Sequence, residues 1–265
     1  MWQQAGPLAP LAFKIGLVVI LQAMGVMMPK SLAKNAVSLL IALCACLPSI
    51  ANEGLDDFSK AKQAMPGIFK QLKDPRTLYC GCPLTFERNR YYPDLKACGY
   101  EVRRNARRAA RIEAEHMMPA WDFGHAMQCW QDGGRKKCEI ESPDFRRAEG
   151  DLHNLYPSVG EINGDRSNFR YTQGSGEPMY GKCEVHVNFK ERSVEIPERA
   201  RGIAARAMLY MSETYKVALS KRQRKLYEAW DEIYPPDADE CLWNSLVKKR
   251  QGTDNKFVSA KCQAK

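Results

Sequence analysis

The sequence predicts an α+β domain stapled by disulfides, and three observations carry that expectation. Two stretches, 57–72 and 197–230, repeat apolar residues at helical spacing. Between them run short alternating segments broken by Gly and Pro, the pattern of strands and turns. Eight cysteines are spread over the region after residue 51, an even set in a chain whose first residues look like an export leader.

The elements follow in chain order. In 57–72, Phe58, Ala61, Met65, Ile68, Phe69 and Leu72 form one apolar stripe. Residues 79–100, rich in Cys, Gly, Pro and Tyr, read as loops and short strands pinned by bridges. Residues 111–119 alternate and end in Pro119, like a strand entering a turn. Gly133, Gly134 and Pro143 mark 131–144 as a loop. Residues 152–157 read as a strand that runs into Ser158-Val159-Gly160-Glu161. This is a capping-box pattern, in which Ser158 caps a short helix and Glu161 reaches back. That helix would carry Ile162, Asn163, Arg166 and Ser167. Residues 170–196 predict further strands and turns. From 197 to 230, Ile203, Ala204, Met208, Met211 and Tyr215 share a helix face, followed by Leu226 and Trp230. The polar C-terminus is expected to be held by Cys241 and Cys262.

Residues 1–51 contain no Asp or Glu, and their charges are Lys14, Lys30 and Lys34. The apolar run 36–50 follows two lysines and ends in Pro48-Ser49-Ile50-Ala51, as a secretory signal does. Cleavage is expected after Ala51, delivering 52–265 as a single domain to the periplasm or the medium. The earlier apolar run, 11–28, has two readings. Met27 or Met28 is the true start, or the run is an uncleaved membrane anchor. A third variant is a lipoprotein, because Leu43-Cys44-Ala45-Cys46 is similar to the box before a lipidated cysteine.

The cysteines beyond the leader are Cys80, Cys82, Cys98, Cys129, Cys138, Cys183, Cys241 and Cys262. Disulfides are favoured over a zinc site, since Cys80-Gly81-Cys82 is too closely spaced for a knuckle and no second pair echoes it. On the order of a hundred pairings are open to eight cysteines, and none is singled out.

The whole chain has a net charge of +9; without the three leader lysines, 37 basic residues face 31 acidic ones. An anionic partner suits that balance. Arg103, Arg104, Arg107, Arg108 and Arg111 crowd together just before Glu115-His116, so they are candidate nucleic-acid contacts. The bland alternative is a solvated face.

Phosphodiester hydrolysis needs an activated water, neutralised charge on the phosphate and help for the leaving oxygen. A divalent cation with hard oxygen ligands meets the last two needs. Glu115 and Asn163 offer such oxygens, and His116 offers a base that titrates near neutrality. Adjacent strand residues point to opposite faces, so Glu115 and His116 share a site only if the strand ends or bends there; Pro119 is in place to end it. Taken singly, each residue also has a structural reading, including Arg135 as a loop tip and Asn163 as a polar helix residue.

Longer motifs add a resemblance. These are YCGCPL (79–84), ACGYEVRRN (97–105), RIEAEHMMPAWDFGH (111–125), QCWQDGGRKKC (128–138), AEGDLHNLYPSVGEINGDRSNF (148–169), YGKCEVHVNFKER (180–192) and RARGIAARAMLYMS (199–212). Together they make the region 79–262 similar to the bacterial endonuclease I family, non-specific nucleases of the ββα-metal (His-Me finger) class. The resemblance implies His116 as general base, Glu115 and Asn163 as metal ligands, and Arg135 as the phosphate contact. It also implies a role for Glu149 in the site, orienting the base or a metal-bound water. The metal would be Mg²⁺, with Mn²⁺ or Ca²⁺ as substitutes. Substrates would be single- and double-stranded DNA and RNA, cut by a monomer without a stable protein partner. The eight cysteines would form four bridges. Met117-Met118 replaces the Val-Val common in the family and keeps the site apolar. His153 is expected to support rather than catalyse, and His125 to stand in a loop before Cys129 without a catalytic role. The rival from another class is a non-catalytic, disulfide-rich nucleic-acid-binding protein on the same fold; a third reading is an exported zinc hydrolase.

Overall fold

Helix α1 (Phe58–Phe69) opens the part of the chain, residues 57–262, that the computed structural model describes. The leader, its cleavage point, the run 11–28, Cys44 and Cys46 lie outside those residues. Asp57 caps α1 by accepting from the Lys60 amide at 2.8 Å. The expected stripe is buried from Ala61 through Leu72, whereas Phe58, half-buried, points elsewhere.

A hairpin follows, β1 (Leu84–Glu87) against β2 (Arg90–Pro93). A single turn of helix, α2 (Ala106–Ala109), then leads into β3 (Ile112–His116). The short α3 (Ala120–Gly124) comes next, then α4 (Gln128–Glu141) and α5 (Pro143–Glu149). A 3₁₀ turn (Leu152–Asn154) precedes β4 (Leu155–Val159) and α6 (Gly160–Arg166). Strands β3 and β4 pair antiparallel, Ile112 opposite Val159 and His116 opposite Leu155. Beyond them, β5 (Arg170–Thr172), β6 (His186–Asn188) and β7 (Ser193–Glu195) make a small mixed sheet in the order β5-β7-β6. The chain ends in α7 (Glu198–Thr214), α8 (Lys221–Ile233), α9 (Ala238–Gln251) and α10 (Lys256–Cys262).

The helical stretch expected over 197–230 is split into α7 and α8 by residues 215–220, and three further local expectations change. The segment 131–144 is helical, not a loop. Gly133 and Gly134 form a kink inside α4, with Gly134 at φ 68°, ψ −162°, a conformation that belongs almost wholly to glycine. The Cys129–Cys138 bridge spans the kink and ties its two sides together. Pro143 stands in the first turn of α5, where its missing N–H breaks no bond, and Ser142 caps that helix. Second, the capping box does not form. Ser158 is paired with Glu113 inside β4, and α6 has Val159 at its N-cap without a side-chain bond. Glu161 instead accepts from the amides of Arg103, Arg104 and Asn105 and from the Tyr100 hydroxyl. Four donors fixed by tertiary structure outcompete one local amide. Third, the second strand begins at Leu155, three residues later than expected, because Asp151 accepts from the His153 amide and winds 152–154 into the turn.

Helix α7 is buried over most of its surface and forms the centre of the core. Elsewhere in the core Tyr156 meets both Phe69 and Trp243 edge to face. Each such side chain contributes roughly 1.5–3 kcal/mol by leaving water. Arg206 is buried with Glu240 and Asp231 as partners, a pairing that offsets the desolvation of all three.

The disulfides are Cys80–Cys183, Cys82–Cys98, Cys129–Cys138 and Cys241–Cys262. The close pair Cys80 and Cys82 therefore diverges to two partners, which removes the zinc-knuckle alternative. Cys241–Cys262 links α9 to the last residue of α10, as expected of the C-terminus.

Candidate active site

Where β3 ends, the chain bends. The Met117 amide bonds the Asn154 carbonyl (3.0 Å), and Asn154 brackets Met118 by accepting from its amide and donating to its carbonyl. Arg166, at the end of α6, donates to the carbonyls of both His116 and Met117, each at 2.7 Å. Successive carbonyls of a strand point in opposite directions, so one guanidinium can take both only if the chain has left the strand. That is the bend that Glu115 and His116 require to share a site.

The result is a cavity of about 610 Å³ lined by Glu115, His116, Arg135, Asn163, Arg166 and neighbours from α1 and α3. His116 is buried, with Nε2 2.8 Å from the Glu149 carbonyl. A carbonyl oxygen only accepts, so Nε2 carries the hydrogen and Nδ1 keeps its lone pair. The expected titration near neutrality is not found: burial first, then the nearby Arg135, Arg166 and Lys62, lower the imidazole pKa to about 3, so the ring is neutral at ordinary pH. Phe58 packs on it at 4.6 Å between centroids, which explains why this member of the α1 stripe turns away from the core.

Glu115 is 1% exposed. Its Oε1 accepts from the Tyr79 hydroxyl (2.5 Å) and from Arg166 (2.9 Å), and both bonds to the carboxylate among the described residues fall on that one oxygen. Burial raises the carboxyl pKa, opposed by Arg166 and Tyr79. Asn163 donates Nδ2 to Glu113 (3.0 Å), which orients its amide and leaves Oδ1 as the acceptor end. Glu113 is in turn saturated by Arg108 and Arg111. One carboxylate oxygen and one amide oxygen in a polar cavity suit a hard divalent cation that retains waters. Among the described residues no cluster of three or more His, Cys, Asp or Glu exists, so a fuller protein cage of those types is not formed there.

Arg135 follows the Gly133–Gly134 kink, which aims it into the cavity. Its Nε donates to Glu149 Oε1 at 2.5 Å, and its guanidinium lies over the Phe58 ring. Glu149 does not line the cavity. It stands behind the wall, its carbonyl holding His116 and its carboxylate holding Arg135; burial pushes that carboxyl up to about 7, against the pull of Arg135.

The basic run divides. Arg108 lines the cavity but is paired with Glu113; Arg111 is also on Glu113, and Arg103 is on Asp165 at 2.8 Å. These three are held by acidic partners that the run itself does not reveal, Arg103 and Arg108 partly buried and Arg111 still exposed. Arg104 and Arg107 are exposed and pair with no acidic side chain among the described residues. His125 stacks on Trp121, and His153 is buried with Nε2 on the Thr253 carbonyl, away from the cavity. Sequence reasoning missed Tyr79, Glu113, the clamp made by Arg166, and the cover provided by Phe58 and Lys62. Only Glu113 had a signal, its place two residues before Glu115 on the same strand face.

Residues 71–262 match the sequence model of the family described as Endonuclease I. An extracellular deoxyribonuclease of Aeromonas hydrophila is 49% identical over 228 residues, covering 85% of this chain and 97% of the relative. A periplasmic deoxyribonuclease of the same organism is 47% identical over 228 residues, covering 85% and 94%. An Endonuclease-1 of Buchnera aphidicola subsp. Acyrthosiphon pisum is 44% identical over 212 residues, covering 80% and 84%.

Proposed function

The chain belongs to the endonuclease I family of nucleases, and from that premise we propose a sequence-non-specific, Mg²⁺-dependent endonuclease acting on DNA and also on RNA, built on a ββα-metal core. The observation that carries the mechanism is the His116 Nε2–Glu149 carbonyl bond, which leaves the Nδ1 lone pair as the base. Nδ1 takes a proton from the attacking water as the new P–O bond forms and the bond to the leaving sugar oxygen breaks. Glu115 and Asn163 would hold the cation, which when bound supplies charge neutralisation at the phosphate and the leaving oxygen. Arg135 steadies the phosphate, and Glu149 positions both Arg135 and His116 without touching substrate. Arg166 holds Glu115 and the bend.

Recognition runs through phosphates and groove shape, with Arg104 and Arg107 as the outlying contacts. The extracellular and periplasmic names of the relatives support export of the mature domain, residues 52–265, behind a leader. Conversion of supercoiled plasmid to nicked and linear forms tests this function. Cleavage should occur in Mg²⁺, stop in EDTA and return when Mg²⁺ is restored. Undiminished cleavage in EDTA would overturn the metal-dependent mechanism, and binding without cleavage in Mg²⁺ would favour a pure binding module.

A further inference from the structure

Trp121 is not explained by the chemistry above. It is 44% exposed, unusual for the largest apolar side chain, and lies at the rim of the catalytic cavity. One face of its indole is covered by the His125 imidazole, with centroids 3.8 Å apart and planes within 4°. That partner is itself anchored, because His125 Nδ1 donates to the Trp121 carbonyl at 2.7 Å and the Gln131 amide takes the His125 carbonyl. The rest of the indole borders both cavities and is substantially exposed. A rigid ring backed on one face and exposed at a cavity is a stacking platform.

The same Trp121 and Asn168 also line a second cavity of about 490 Å³, which adjoins the first. Arg170 and Arg192 line it, and neither pairs with an acidic side chain among the described residues. Arg192 is pinned by a 2.7 Å bond to Asn168 Oδ1 and by the Phe169 ring beneath it, so its charge is placed and yet uncompensated. Asp122 and Glu191 also line this cavity, and Asp122 is partly buried on α3 while the two arginines are exposed. An aromatic platform beside two cations, continuous with the cavity where a phosphate would be cut, has the composition of a single-strand nucleotide site.

We propose that this second cavity is a nucleotide subsite in which Trp121 stacks one unpaired base of the substrate strand, while Arg170 and Arg192 take the adjoining phosphates. The proposal rests on the nuclease function above and extends it, because a base held in a duplex cannot reach the platform. Stacking contributes strongly to single-stranded or frayed substrates and little to intact duplex. Every base offers a π-face, so the subsite adds affinity without sequence preference.

An abasic scan tests it. The full disulfide-bonded protein is titrated, in EDTA, into short single-stranded DNA oligomers that differ only in the position of one abasic nucleotide, and affinity is read by fluorescence anisotropy. Wild type should lose about 5- to 150-fold at one position relative to the intact oligomer. Trp121→Ala should lose affinity for the intact oligomer by a similar factor and show no further loss at that position; Trp121→Phe should keep most of the effect. A flat scan in wild type, which needs no variant to fold, overturns the subsite. So does a position-dependent loss that Trp121→Ala retains unchanged. Plasmid cleavage by wild type in Mg²⁺ is scored separately: its absence defeats the nuclease function, whereas a flat scan with cleavage intact defeats only the subsite.

Discussion

The strand–strand–helix unit formed by β3, β4 and α6 and the segments around it are held together by different means. The unit contains no cysteine. Its geometry comes from the β3–β4 ladder, the buried Glu115–Arg166 pair and two carbonyls clamped by Arg166. The surrounding segments, rich in turns and short helices, are cross-linked instead. Where the chain buries enough polar and apolar surface to define a position, non-covalent bonds suffice. Where a segment is short and half-solvated, a disulfide removes the entropy that packing cannot offset.

The sharpest way to break the unit is Arg166→Met. The change leaves a buried Glu115 without its cation and frees the bend, so a loss of about 3–5 kcal/mol in stability is expected, together with loss of cleavage. Denaturant unfolding beside the plasmid assay would measure both; an unfolding midpoint like that of wild type contradicts this account of the bend. His116→Ala removes the base and also the ring that packs on Phe58 and bonds the Glu149 carbonyl. Cleavage should fall by about 10²–10⁴-fold while DNA binding in EDTA stays near wild type and stability drops by about 1–3 kcal/mol. Retained turnover would remove His116 as the base.

On the cross-linked side, the two extremes of loop length sharpen the contrast. Cys80–Cys183 spans 103 residues and Cys129–Cys138 spans 9. Replacing each pair by serine should destabilise by about 4.7 and about 2.6 kcal/mol respectively, if unfolded-chain entropy dominates. Activity should follow a different order. Cys129–Cys138 bridges the kink that aims Arg135, so its loss should lower the cleavage rate of the protein that remains folded by roughly 10- to 100-fold. Equal specific activity of the folded fractions would show that the kink holds Arg135 unaided. The smallest effect is expected at the surface. Arg104→Gln and Arg107→Gln should each reduce the slope of log affinity against log salt by about 1, whereas Arg111→Gln, already paired with Glu113, should change it less.

Much of this molecule is written locally. The stripe of α1, a strand within 111–119 and the helical run of α7 follow from side-chain spacing, because a face that must be buried imposes its own period. The failures are equally physical. Gly133-Gly134 carries the same signal whether it ends a helix or kinks one, and the bridge across it is a long-range fact. Ser158-Val159-Gly160-Glu161 has the letters of a capping box, but Ser158 is claimed by the ladder and Glu161 by the 103–105 amides. The basic run shows five arginines and conceals that Asp165 and Glu113 pair with three of them.

By itself, then, the sequence determined the mixed helix-and-strand class and an oxidised, cross-linked domain, and its motifs pointed to the family and to the candidate residues. Only the tertiary structure decided which cysteines pair, that the chain turns after His116, which imidazole nitrogen is bonded to the Glu149 carbonyl, and that Tyr79 and Arg166 hold Glu115. The reason is distance along the chain. Periodicity reports what a residue asks of its neighbours within a turn or two. A hydrogen bond between residues 36 or 51 positions apart leaves no local trace, because either partner alone is an ordinary polar side chain.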